Sequence, residues 1–114
     1  MPYGLSANVL QQLISVFEQN PQTEEAVLFG SRAKGNFREG SDIDIALTGQ
    51  DLTIKALKKL ELKINDLMLP YEVNLVLYDS ITNSDLTEHI ERAGIRIYKK
   101  QEERQEGMKR NKEE

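Results

Sequence analysis

Apolar positions along the chain follow two rhythms, one of helices and one of strands. Val9, Leu10, Leu13, Ile14 and Phe17 recur at helical spacing and predict an amphipathic helix over residues 6–20. Ser6 is placed to cap it, and Asn20-Pro21 to end it. Residues 23–29 close on the apolar run Ala26-Val27-Leu28-Phe29 and read as a buried strand that stops at Gly30. Residues 41–48 alternate, so that Asp42 and Asp44 face one way and Ile43, Ile45 and Leu47 the other. Leu57, Leu60, Ile64, Leu67 and Met68 form the stripe of a helix over 52–68, with Asp51 as N-cap and four lysines largely outside the stripe. A third strand over 71–78 turns Val73, Leu75 and Leu77 to one side, and Glu72, Asn74, Val76 and Tyr78 to the other. A short helix over 85–93, capped by Ser84 and stopped by Gly94, then precedes an edge strand over 95–98. The order of elements predicts an α/β (α+β) fold, a small mixed sheet flanked by helices, whose third strand returns beside the one carrying the aspartates.

Length and charge narrow the classes. A chain of 114 residues fits one domain, here residues 1–98, with a charged and flexible tail over 99–114. Net charge is −4, and the tail carries six basic and five acidic side chains, so the body is the acidic part. Such a body is poorly suited to nucleic-acid backbones, and a protein is the expected macromolecular partner. There is no cysteine, which excludes disulfides and thiolate zinc sites. No secretory signal or membrane-length apolar run is visible, and a cytoplasmic location is expected.

The segment from Gly30 to Asp44 concentrates the chemistry. Gly30 and Ser31, at the end of a strand with helix formers next, offer backbone N–H groups to a phosphate. Arg32 and Lys34 add charge, although an arginine at such a position is ordinarily a solvated surface group. Taken alone, this is a strand-to-helix turn with a serine cap; the paired aspartates downstream reverse that balance. Asp42 and Asp44 lie about 7 Å apart at their Cα atoms on one strand face, and their oxygens can converge on one hard cation. Asp44 interrupts an apolar run in a strand, where a partly buried charge costs several kcal/mol unless a cation or hydrogen bonds compensate. The single His89 reads as a surface or packing residue, because no second histidine accompanies it. No P-loop sequence occurs.

Gly30-Ser31, ten residues, and then Asp42-Ile43-Asp44 resemble the motif of the minimal nucleotidyltransferases (MNT), within the DNA polymerase beta-like superfamily. The resemblance runs from about residue 6 to residue 98. It implies a polymerase beta-like nucleotidyltransferase fold and transfer of AMP from ATP to a hydroxyl acceptor on a protein, with pyrophosphate release. Asp42 and Asp44 would be the catalytic ligands of Mg2+ or another divalent cation, and Gly30, Ser31 and Arg32 would bind nucleotide. It also implies a helical HEPN-type partner in a toxin–antitoxin pair. One departure stands out. Related enzymes place a third carboxylate where this chain has Asn74, and Glu72 is the nearest acid that could substitute. Asn74 cannot act as a general base, which opens the alternative of a nucleotide- and metal-binding antitoxin with little catalysis.

Overall fold

The structure is a computed structural model that describes residues 2–101. After a short N-terminal turn, helix α1 spans Ala7–Glu18 and strand β1 Glu25–Phe29; a single helical turn, α2, covers Ser31–Lys34. Strand β2 is Ile43–Thr48, helix α3 Ile54–Asn65, strand β3 Val73–Leu77, helix α4 Ser84–Ala93 and strand β4 Ile95–Lys99. The four strands form one sheet in the order β3-β2-β1-β4. β2 and β3 run parallel, joined by the α3 crossover, while β1 is antiparallel to both β2 and β4. The expected mixed sheet is present, with β3 beside β2 and β4 at an edge.

Capping chemistry set several boundaries differently from the sequence pattern. Ser6 Oγ accepts the Val9 N–H at 3.1 Å, as its position suggested. For α3 the cap is Thr53, whose Oγ1 accepts from Ala56 N at 3.1 Å, rather than Asp51. Leu52 therefore stands just outside the helix and packs on the same apolar cluster as Leu57, a hydrophobic staple that fixes the entry of the chain. The helix closes at Asn65, short of Met68, which turns the chain with φ 57°. Asn83 caps α4 instead of Ser84, its Oδ1 accepting from Asp85 N at 2.8 Å and Leu86 N at 3.3 Å. β3 starts at Val73, two residues after the expected start, which leaves Glu72 outside the strand.

The two sheet faces are unequal. On the first, Ala26, Leu28, Ile43, Ile45, Leu47 and Leu75 meet Leu13 and Phe17 of α1 and Leu57, Leu60 and Ile64 of α3 in the main core. Each of the leucine, isoleucine and phenylalanine side chains among them contributes about 1.5–3 kcal/mol on burial. On the second face, only Phe29, Ala46 and Ile90 are buried among the described residues, under α4. The first face thus carries most of the stability, and the end of the second face is left for polar groups. Lys99 pairs with Glu25, and Lys100 N–H donates to Glu24 O at 2.7 Å, so the chain is still held at residue 100. The rest of the expected tail, residues 102–114, lies outside the described residues. No described helix is long and apolar enough to cross a membrane.

Candidate active site

The second sheet face loses its apolar character where β1 ends and β2 and β3 begin. Phe29 pairs with Asp44, and Asp44 pairs with Asn74, so three adjacent strands bring these residues into one row. The Asn74 amide nitrogen donates to Asp44 Oδ1 at 2.9 Å and to Asp42 Oδ2 at 3.3 Å. Both carboxylates therefore converge on one small amide. Asp42 precedes β2 and is exposed, whereas Asp44 within the strand is partly buried.

Gly30 lies against this cluster. Its φ of 79° and ψ of −155° belong to a region that is essentially glycine's alone. A Cβ built there would stand 2.5 Å from Asp44 Oδ2. The missing side chain is what lets the backbone approach the carboxylate. Ser31 then opens α2, whose first backbone bond runs from Lys34 N to Gly30 O at 3.1 Å. The N–H groups of the residues before Lys34 have no partner within so short a turn. The turn thus starts beside Asp44, and Asn74 draws Asp42 to the same carboxylate.

Arg32 sits elsewhere than a solvated surface group would. It is 2% exposed. Its Nε and Nη2 donate to Ser41 O at 3.1 and 2.8 Å, and Nη1 donates to Tyr3 O at 2.8 Å. The guanidinium lies between two aromatic rings, 5.1 Å from the Phe37 centroid and 4.9 Å from that of Tyr71. A planar cation with five donors suits this slot, since it meets carbonyls in its plane and rings on its faces. Ser41 immediately precedes Asp42, so Arg32 ties the cradle turn to the segment that delivers the first carboxylate. Gly4 allows the N-terminal turn to close on it: a Cβ there would overlap Phe37 and stand 2.8 Å from Arg32 Nη1.

Glu72 is exposed and does not join the carboxylates; among the described residues no three His, Cys, Asp or Glu side chains are gathered to hold a metal. The donor set is therefore two carboxylates and the Asn74 amide, all hard ligands. That set fits a magnesium ion, which is commonly held by one or two carboxylates together with substrate phosphates.

His89 was read from the sequence as a surface or packing residue, and it does pack, edge-on to Phe29 with ring centroids 6.3 Å apart. It also accepts a hydrogen bond at Nε2 from the Gly30 N–H at 3.0 Å. The signal available in the sequence was its place three residues after Leu86 and one before Ile90, on the inward stripe of α4. The roles of Tyr3 and Tyr71 around Arg32 had no comparable signal, because both depend on loops converging.

A family model described as "Polymerase beta, Nucleotidyltransferase" matches residues 11–103. No curated protein gives a match. Among solved structures, the chain is similar to a crystal structure of a toxin–antitoxin with AMP-PNP, at 28% identity and a TM-score of 0.63, covering 85% of this chain and 76% of the other. A mutant of the toxin–antitoxin MntA-HpeT is 26% identical, with a TM-score of 0.58 over 85% of this chain and 74% of the other. The MNT antitoxin complex with the tri-AMPylated HEPN toxin of Shewanella oneidensis, 23% identical with a TM-score of 0.61 over 82% and 71%, has the same fold. The row of Asp42, Asp44 and Asn74 beside Gly30 and Ser31 is thus set on a fold of known kind, and the chain belongs to the polymerase beta nucleotidyltransferase family.

Proposed function

We propose that this protein transfers AMP from ATP to a hydroxyl on a helical HEPN-type partner protein, releasing pyrophosphate, as the antitoxin subunit of a toxin–antitoxin pair. The observation that supports it most is the convergence of Asp42 and Asp44 on one point beside the Gly30–Ser31 turn. The similarity to a toxin–antitoxin with AMP-PNP supports the adenine nucleotide and the protein partner.

In this reading Ser31 holds the outer phosphates through its N–H and hydroxyl, so that the leaving pyrophosphate stays fixed while the α-phosphorus is attacked. Gly30 brings the backbone close enough for both contacts. Asp42 and Asp44 would hold Mg2+, which would supply charge neutralisation for the transferring phosphoryl oxygens. Arg32 serves nucleotide binding from behind, by fixing the turn against Ser41. Asn74 keeps the two carboxylates together and can present its amide oxygen to a cation by rotating about its last torsion.

Asn74 also favours a second reading. With no third acid in the cluster, the acceptor hydroxyl lacks a nearby base, and the protein would bind nucleotide and metal while restraining its partner by contact. Incubation with labelled ATP, magnesium and the candidate partner decides between them. Label on the partner with pyrophosphate release establishes the transferase; nucleotide bound without transfer establishes the binding subunit. Asp42→Asn and Asp44→Asn should each lower transfer by roughly 10²-fold or more with the fold intact. Undiminished transfer in both variants would refute the assignment.

A further inference from the structure

The N–H of Gly30, at the start of this turn, is already engaged. His89 Nε2 accepts it at 3.0 Å, across 59 residues of sequence. A ring nitrogen that accepts a hydrogen bond carries a lone pair, so the His89 proton resides on Nδ1. The imidazole is itself held, edge-on to the Phe29 ring and on the inward side of α4, next to the buried Ile90. Gly30 is therefore held by His89 at its nitrogen, while Asp44 Oδ2 occupies the space a side chain would need.

This grip matters because glycine has little conformational preference of its own. The Lys34 N–H holds the Gly30 carbonyl on the far side of the residue. Without an acceptor for the Gly30 N–H, the preceding Phe29–Gly30 peptide loses one of its anchors and can tilt, and the turn shifts with it. We propose that His89 is a positioning residue of the nucleotide site: by holding the Gly30 N–H, it sets the peptide so that the Ser31 amide and hydroxyl face the triphosphate. The inference rests on the nucleotidyltransferase reading and assigns the α4 helix a part in it. His89 does not touch the nucleotide. It removes one donor from the cradle and orients the next.

The test uses the full chain and three variants chosen by reach. In His89→Gln, the amide oxygen sits the same number of bonds from Cα as imidazole Nε2 and can accept the Gly30 N–H. In His89→Asn the oxygen falls short, and in His89→Leu there is no acceptor while the apolar packing on Phe29 is kept. Binding of a non-hydrolysable ATP analogue with magnesium is measured by calorimetry, and exchange of the Gly30 amide hydrogen by NMR. The expected result is a Kd raised about three- to tenfold in the Leu and Asn variants, the value of one lost hydrogen bond, with near-original binding in the Gln variant. The Gly30 amide should exchange faster in the Leu and Asn proteins alone. Equal binding in all four proteins, or equal loss in all three variants, overturns the role of His89. A wild-type protein that binds no triphosphate overturns the parent reading instead.

Discussion

Asn74 stands directly across the parallel β2–β3 pair from Asp44, and its single amide group holds two carboxylates that would otherwise repel. Asn74→Asp places three acids on that spot. Without divalent cation the variant should melt several degrees below wild type, and millimolar Mg2+ should recover the loss and raise its melting temperature by more than it raises that of wild type. If the activity is transfer, its rate should rise as well. Thermal scans with and without Mg2+ check the first part; a variant indifferent to Mg2+ would place the cation elsewhere.

Gly30→Ala forces a side chain into left-handed backbone and against Asp44 Oδ2. The backbone term alone costs on the order of 1–3 kcal/mol. Because the obstructing atom is the tip of a side chain, part of the clash is relieved by displacing the carboxylate. The variant should fold with reduced stability in urea and lose nucleotide binding by more than its stability loss predicts.

Arg32→Lys should be as harmful as a truncation. A lysine ammonium cannot donate to the Tyr3 and Ser41 carbonyls together, nor lie flat between Phe37 and Tyr71. Losing charged hydrogen bonds while leaving partly buried carbonyls bare costs about 2–4 kcal/mol. Chemical denaturation measures it, and a Lys variant as stable as wild type would contradict the geometry.

Tyr78 donates its hydroxyl proton to Glu91 Oε2. That bond, then desolvation and then the negative charges of Glu91 and Asp79, raise its pKa above the ordinary value of about 10. A raised value in the folded state means that the stabilisation is complete below the unfolded tyrosine's pKa and fades as pH climbs through the folded one. Site-specific NMR titration should show Tyr78 ionising above the ordinary tyrosine value, and Glu91→Gln should bring it back toward that value.

The sequence made the sheet legible because strands and helices each bury one face, and period is visible in a linear string. Ile43, Ile45 and Leu47 marked the core face of β2 and so placed Asp42 and Asp44 on the other. Alternation in β3 placed Asn74 on one strand face, and the resemblance to the nucleotidyltransferases singled it out there. Caps were harder. Asp51 and Thr53 are both good cap residues, and the choice fell to Thr53 because Leu52 had to reach the core just before the helix. The burial of Arg32 was not legible, since nothing local distinguishes a buried arginine from a solvated one, and the helical stripe placed His89 inward without naming Gly30 as its partner. Their partners lie 29 residues from Arg32, at Tyr3, and 59 from His89, at Gly30.

β1 occupies the middle of the sheet, yet its last residue hands the chain to a turn that is finished only when α4 lies down on the opposite face. During synthesis the aspartates emerge long before His89 does. A nascent chain that has paired β1, β2 and β3 has its acids gathered on Asn74 before His89 can reach the glycine. In the proposed reading, competence for nucleotide then arrives only when α4 docks, and a bound triphosphate would act as a latch on that helix.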